Sequence, residues 1–254
     1  MRKYFSGVLF HLLRFENENL IKGINLEGWK VIGDLEKYSK KYYNQRADEL
    51  MIIDSVASLY DRKKIKEIIA KITKNIFIPI TVGGGIRTFN DAVELFMSGA
   101  DKIAINSAAI INPKIIKKLV TNFGSQSIVS SIQAKKVGKK KWNAYYESGR
   151  EDSKLDVIKW AKKCEILGVG EILITSIDQD GTEEGFDLDL AEEISKNIKV
   201  PVIFSGGFNS LKDILHLNKK TNIDAYALGT SLHNNKTNIK KLKKYLKIND
   251  INVR

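Results

Sequence analysis

Cysteine occurs once in the 254 residues and proline three times, and each scarcity excludes something. A lone thiol, Cys164, has no intrachain partner, so the fold must hold without a disulfide. It sits in Trp160-Ala161-Lys162-Lys163-Cys164-Glu165-Ile166-Leu167, a helical pattern that predicts a buried or half-buried side chain. No unbroken apolar run approaches the ~20 residues that cross a bilayer. The start, Met1-Arg2-Lys3-Tyr4-Phe5-Ser6-Gly7, is short and aromatic for an export signal. A cytoplasmic chain with no membrane role is expected.

Acidic charge is also in short supply, with 30 Asp and Glu against 42 Lys and Arg, a formal net charge of +12. Most of the lysines are scattered along helical stretches and read as solvated faces. Two clusters are denser: Lys135-Lys136 with Lys139-Lys140-Lys141, and Lys240-Lys241 with Lys243-Lys244 and Lys247. Neither interleaves aromatics or forms a recognition module, so no nucleic-acid partner is expected.

Against these absences stands a repeat. Val82-Gly83-Gly84-Gly85-Ile86 is echoed by Phe204-Ser205-Gly206-Gly207-Phe208, and Glu49-Leu50-Met51-Ile52-Ile53 by Glu171-Ile172-Leu173-Ile174-Thr175, both at the Gly84-to-Gly206 offset of 122 positions. Two blocks sharing one offset imply two similar halves. Between them, β-branched runs at 8–13, 50–54, 78–82, 102–106, 127–132, 171–175, 201–205 and 224–228 alternate with helical stretches near 34–46, 61–73, 89–98, 112–121, 154–167, 187–196, 210–218 and 237–246. Pro79 and Pro201 fall near strand starts and Pro113 opens a helix. Eight strands in this cadence, in a chain that is 43% apolar, predict one (β/α)₈ TIM barrel spanning residues 1–254, with a half-barrel internal repeat. Two long polar stretches, Arg14 to Lys30 and Lys135 to Ser153, follow strands one and five, where hairpins or covers over a site belong.

Chemistry in such a barrel sits at the strand ends. Glycines there let backbone approach an anion, so Gly84 and Gly85 with Asn106 and Ser107, and Gly206 and Gly207 with Thr230 and Ser231, are candidates for two phosphate cradles. Paired cradles imply a phosphorylated small molecule with two anionic ends. Lys22 is a further phosphate contact, and Asp54, Asp178 and Asp180 are carboxylates for the centre.

Ser176-Ile177-Asp178-Gln179-Asp180-Gly181-Thr182, Val82-Gly83-Gly84-Gly85-Ile86, Ala100-Asp101-Lys102-Ile103-Ala104-Ile105-Asn106 and Phe123-Gly124-Ser125-Gln126 closely resemble the cyclase subunit family of imidazole glycerol phosphate synthase. The resemblance runs through essentially the whole chain. It implies a barrel that takes ammonia from a class I glutaminase and combines it with phosphoribulosyl-formimino-AICAR phosphate in histidine biosynthesis, without metal or cofactor. Lys22, Asp54, Gly84 with Asn106, Gly206 with Ser231, and Asp180 match family site positions.

Two positions depart from that pattern. Where the family has a first-strand aspartate, this chain has Leu13 or Arg14, and where it has a fifth-strand aspartate, Gln133. Arginine is no ordinary general base and glutamine does not titrate. Asp180 remains as a possible acid or base, with Glu16, or Glu18, as a substitute from the loop. At the opposite end, Glu49, Lys102 and Glu171 resemble three of four charges ringing the family's ammonia entrance, the fourth falling on Arg2, Lys3 or Gly7, and Asp101 with Lys102 would meet the glutaminase. Loss of the acid/base pair beside retained cradles and port also resembles a divergent branch of that family, which implies an ammonia-channelling partner of a glutaminase and a sugar amidotransferase in bacterial surface-glycan acetamidino formation. The alternative is the cyclase itself.

Overall fold

The computed structural model describes residues 8–55, 63–251 and 253. Strand β1 (Val8–Glu16) turns back through the antiparallel β2 (Asn19–Ile24) and β3 (Glu27–Asp34) into α1 (Leu35–Asn44). Then come β4 (Glu49–Asp54), α2 (Lys63–Thr73), β5 (Ile80–Gly83), α3 (Phe89–Met97), β6 (Lys102–Ile105), a short α4 (Ser107–Ile111) and α5 (Lys114–Phe123). The second half repeats the plan. Strand β7 (Ile128–Gly138) runs through the antiparallel β8 (Lys141–Tyr146) and β9 (Glu151–Asp156) into α6 (Val157–Ile166). It continues with β10 (Glu171–Ser176), α7 (Leu188–Asn197), β11 (Val202–Ser205), α8 (Leu211–Lys220), β12 (Ala225–Leu228), a short α9 (Thr230–His233) and α10 (Ile239–Ile248).

Eight of the strands pair in parallel around a closed ring: β1 with β4, β4 with β5, β5 with β6, β6 with β7, β7 with β10, β10 with β11, β11 with β12, and β12 back to β1. This is the (β/α)₈ barrel the strand cadence predicts. Because side chains alternate across each strand, one set fills the barrel and the other packs under the helices. Leu12, Met51, Ala104, Val129, Leu173, Ile203, Ala225 and Ala227 form the inner cluster. Leu13, Leu50, Ile52, Ile103, Ile105, Ile172 and Ile174 belong to the larger outer one, where full burial of each stabilises by about 2 kcal/mol.

The two halves match in fine detail. Thr88 caps α3 with Asp91 closing the capping box, and Ser210 with Asp213 does the same for α8. Asp101 accepts from the Ile80 amide at 2.8 Å, and Asp224 from the Val202 amide at 2.9 Å. The residues preceding the two short helices share one unusual backbone conformation: Asn106 at φ −128, ψ −85 and Gly229 at φ −132, ψ −84. Both short helices escaped sequence prediction, being too brief to show a helical period.

The long polar stretches are the β2–β3 and β8–β9 hairpins. Among the described residues, no helix is long and apolar enough to cross a membrane.

Candidate ligand-binding site at the barrel mouth

The carboxyl ends of the strands open into two cavities, one over each half. The first, about 280 Å³, is lined by Gly84, Gly85, Asn106 and Ser107 together with Arg14, Asp54, Ser55, Ser131 and Gln133. The second, about 20 Å³, is lined by Gly206, Gly207, Thr230 and Ser231 together with Arg14, Lys22, Asp180 and Glu183. The residues expected in each cradle therefore line one cavity apiece. Gly84 (φ +93) and Gly206 (φ +104) are placed where a side chain cannot go: an added Cβ would lie 2.2 Å from the Asp54 carbonyl oxygen or 2.7 Å from that of Ser176. Behind each pair of glycines stands the first turn of α4 or α9, whose leading amides have no intrahelical acceptor.

Each hairpin reaches over the other half's cradle. From the β2–β3 hairpin, Lys22 donates to Asp180 Oδ2 at 2.6 Å, and the Asn25 amide donates to the Asp180 carbonyl at 2.7 Å. From the turn after β8, the Glu147 amide donates to Ser107 Oγ at 3.1 Å and Ser148 Oγ to the Ser55 carbonyl at 2.8 Å, while Asn106 Nδ2 donates to the Tyr145 carbonyl at 3.1 Å. The halves are thus tied across the mouth.

Register decides between Leu13 and Arg14. Leu13 turns outward into the helix-facing core, whereas Arg14, 4% exposed, turns inward and lines both cavities. The Trp29 ring lies 6.0 Å from the guanidinium carbon. Burial draws Arg14 below the usual guanidinium range, opposed by the charge of Asp180. Lys22 is lowered in the same way, burial first, with Asp180 raising it and Arg14 lowering it further. Gln133 lies at the first cavity, its Oε1 buried and without a hydrogen-bond partner among the described residues.

Other predicted residues fall elsewhere. Asp178 lines neither cavity; its Oδ2 accepts from the Lys136 amide at 2.8 Å and so pins the root of the β7–β8 hairpin. Glu16 pairs with Asn19 at the hairpin base and also lines neither cavity, and Glu18 lies 3.6 Å from Lys71 on the outside. Sequence reasoning missed Glu183, which enters the second cradle by accepting from Ser231 Oγ at 2.9 Å and pairing with Lys236. The local signal was two adjacent glutamates after Gly181-Thr182, with nothing in them to show which faces inward.

At the barrel's other end, Lys102 Nζ bonds Glu49 Oε2 at 2.9 Å and Glu171 Oε1 at 2.6 Å, closing a clasp under the inner apolar cluster. Burial alone would pull Lys102 down; the bonds and charges of Glu171 and Glu49 outweigh it and leave the ammonium above its ordinary value. Asp101, next to it, is engaged by the Ile80 amide. Arg2, Lys3 and Gly7 lie outside the described residues. Among the described residues no cluster of His, Cys, Asp and Glu is arranged to hold a metal.

Residues 17–238 match the model of a family described as histidine biosynthesis protein. The chain is 49% identical to the imidazole glycerol phosphate synthase subunit HisF of Legionella pneumophila over 201 residues, 79% of this chain and 95% of the relative. It is 42% identical to the subunit of the same name from Bacillus cereus (strain G9842) over 235 residues, 92% of this chain and 93% of the relative. These likenesses overturn the expectation of a divergent glycan-amidation branch. Two substituted positions, Arg14 and Gln133, suggested that branch, but the identity extends along nearly the whole chain to synthase subunits.

Proposed function

The chain belongs to the histidine biosynthesis protein family, and on that premise we propose that it is the cyclase-type subunit of an imidazole glycerol phosphate synthase. Ammonia and phosphoribulosyl-formimino-AICAR phosphate would give imidazole glycerol phosphate and an aminoimidazole carboxamide ribonucleotide. One observation carries the reading: two repeat-related glycine cradles open on one mouth, with a buried Lys22–Asp180 pair beside them. A ligand with a phosphate at each end can span them, the glycine amides holding its ends.

Proton transfer is then carried differently from what the resemblance implies. Arg14 stays protonated and Gln133 has no titratable proton, so Asp180, 4% exposed at the second cavity, takes the acid/base role, with Lys22 fixing its position. Ammonia would enter at the opposite end from a class I glutaminase docked around Asp101 and the Glu49–Lys102–Glu171 clasp. Passage requires Lys102 to swing aside.

The test is formation of imidazole glycerol phosphate by the purified chain, first with ammonium chloride and then with a glutaminase and glutamine. Turnover from ammonium that drops about 10²-fold or more in Asp180→Asn supports the reading. No product under either condition would overturn it.

A further inference from the structure

Arg14 is a buried cation with unmet bonding capacity. It is 4% exposed, it forms part of the wall of both mouth cavities, and its Nε has no hydrogen-bond partner among the described residues. Asp180 is the carboxylate whose charge acts on it, yet that carboxylate is bonded to Lys22 at 2.6 Å. Lys22 thus engages the carboxylate that acts on Arg14, while Glu183 shares the second cavity and Asp54 and Glu147 the first. A buried donor without a partner is costly, and an incoming anion that accepts from it relieves that cost. Trp29 lies against the guanidinium at 6.0 Å.

On the first-cavity side the chemistry suits such an anion. Gln133 is neutral there, and the space of about 280 Å³ is near the lower end of small-molecule cavities, about 300 Å³. The same cavity holds Gly84 and Asn106. Asp54 also lines it, but Asp180 is the group acting on Arg14. A guanidinium presents its donors as a planar fork that matches a carboxylate two oxygens at a time.

We propose that the first cavity binds small phosphorylated carboxylates, with the phosphate at the Gly84-Gly85 cradle and the carboxylate on Arg14. This ligand class goes beyond the cyclase reading, and it rests on the reading of the glycine segment as a phosphate cradle. Arg14 is then a specificity residue that distinguishes a phosphorylated acid from a phosphorylated alcohol.

Calorimetric titration of the full chain with 3-phosphoglycerate and with glycerol 3-phosphate tests it, because the two share a phosphate and a three-carbon frame and differ in the carboxylate. The native chain should bind 3-phosphoglycerate about 10-fold more tightly, as a charge-assisted bond requires. In Arg14→Met and Arg14→Gln that preference should fall to within about twofold, with 3-phosphoglycerate losing more affinity than glycerol 3-phosphate. Either variant suffices if circular dichroism shows it folded. Equal binding of both ligands by the native chain, or a preference that survives both variants, would overturn this proposal alone. Binding of neither ligand would overturn it together with the phosphate reading beneath it.

Discussion

Lys22 and Asp180, 158 positions apart in sequence, meet at 2.6 Å across the barrel mouth, with side-chain exposures of 12% and 6%. The bond joins a hairpin of the first half to the turn that follows β10 in the second. Removing one partner strands the other charge in a dry place, which costs about 3 kcal/mol, whereas removing both costs much less. Lys22→Met and Asp180→Asn should therefore each lower the urea midpoint strongly, and the double variant should recover part of the loss. Strictly additive effects in that double-mutant cycle would show the pair to be energetically independent.

The clasp at the other end allows a test of passage separate from chemistry. Lys102 holds Glu49 and Glu171 together, and Glu171 Oε2 is buried without a hydrogen-bond partner among the described residues. In Lys102→Met the two carboxylates lose the Lys102 ammonium and an apolar chain takes its place beneath the inner cluster. With glutamine and a glutaminase, product per glutamine consumed should fall at least about twofold, while turnover with saturating ammonium chloride stays near native. Equal losses under both conditions would locate the effect in the fold rather than the entrance.

Much of the scaffold could be read from sequence because its signals are local. Most barrel strands are short apolar runs rich in β-branched residues, and Asp91 and Asp213 sit at the third position of their helices in both halves. Leu13 and Arg14 could not be separated that way, since a one-residue shift exchanges inside for outside. The Phe10↔Glu49 and Arg14↔Ile53 pairings settle it. The crossing of each hairpin onto the opposite cradle was likewise hidden. Lys22 meeting Asp180 and Ser148 meeting Ser55 depend on barrel closure, which no local window contains.

Acid should act on the fold through His233. Its ring is bonded at Nδ1 to the Tyr42 hydroxyl at 2.8 Å and to the backbone of Leu12. Burial, then the charges of Lys22 and Lys41, lowers its value to about 3, against weaker opposing effects of Leu12 and Asp180. The unfolded chain binds this proton near the ordinary value of 6.5, and the folded chain does not until about 3. Stability from this group is thus complete above 6.5 and drains away as pH falls toward 3, at about 1.4 kcal/mol per pH unit. Urea melts of the native chain and of His233→Gln at pH 7, 6 and 5 should give a shallower pH slope for the variant. Identical slopes would rule His233 out as the source.

Glu183 makes the two cradles unequal. It approaches Ser231 Oγ at 2.9 Å, while that same hydroxyl is 2.8 Å from the Phe208 carbonyl, and a hydroxyl has one proton to share between them. With Glu183 turned inward the second cavity offers about 20 Å³, room for a water, so on the proposed reading this carboxylate must withdraw before a phosphate seats there. Lys236, held by Glu183, is kept from any incoming anion as well. Glu183→Ala removes the competing charge, releases the Lys236 ammonium and leaves Ser231 able to donate to a phosphate oxygen. Inorganic phosphate should then shift the amide resonances of Gly206, Gly207 and Ser231 at about 10-fold lower concentration than in the native chain, since each 1.4 kcal/mol of relieved repulsion is tenfold in affinity. An unchanged midpoint at those amides would mean that Glu183 already leaves the cradle freely and does not gate it.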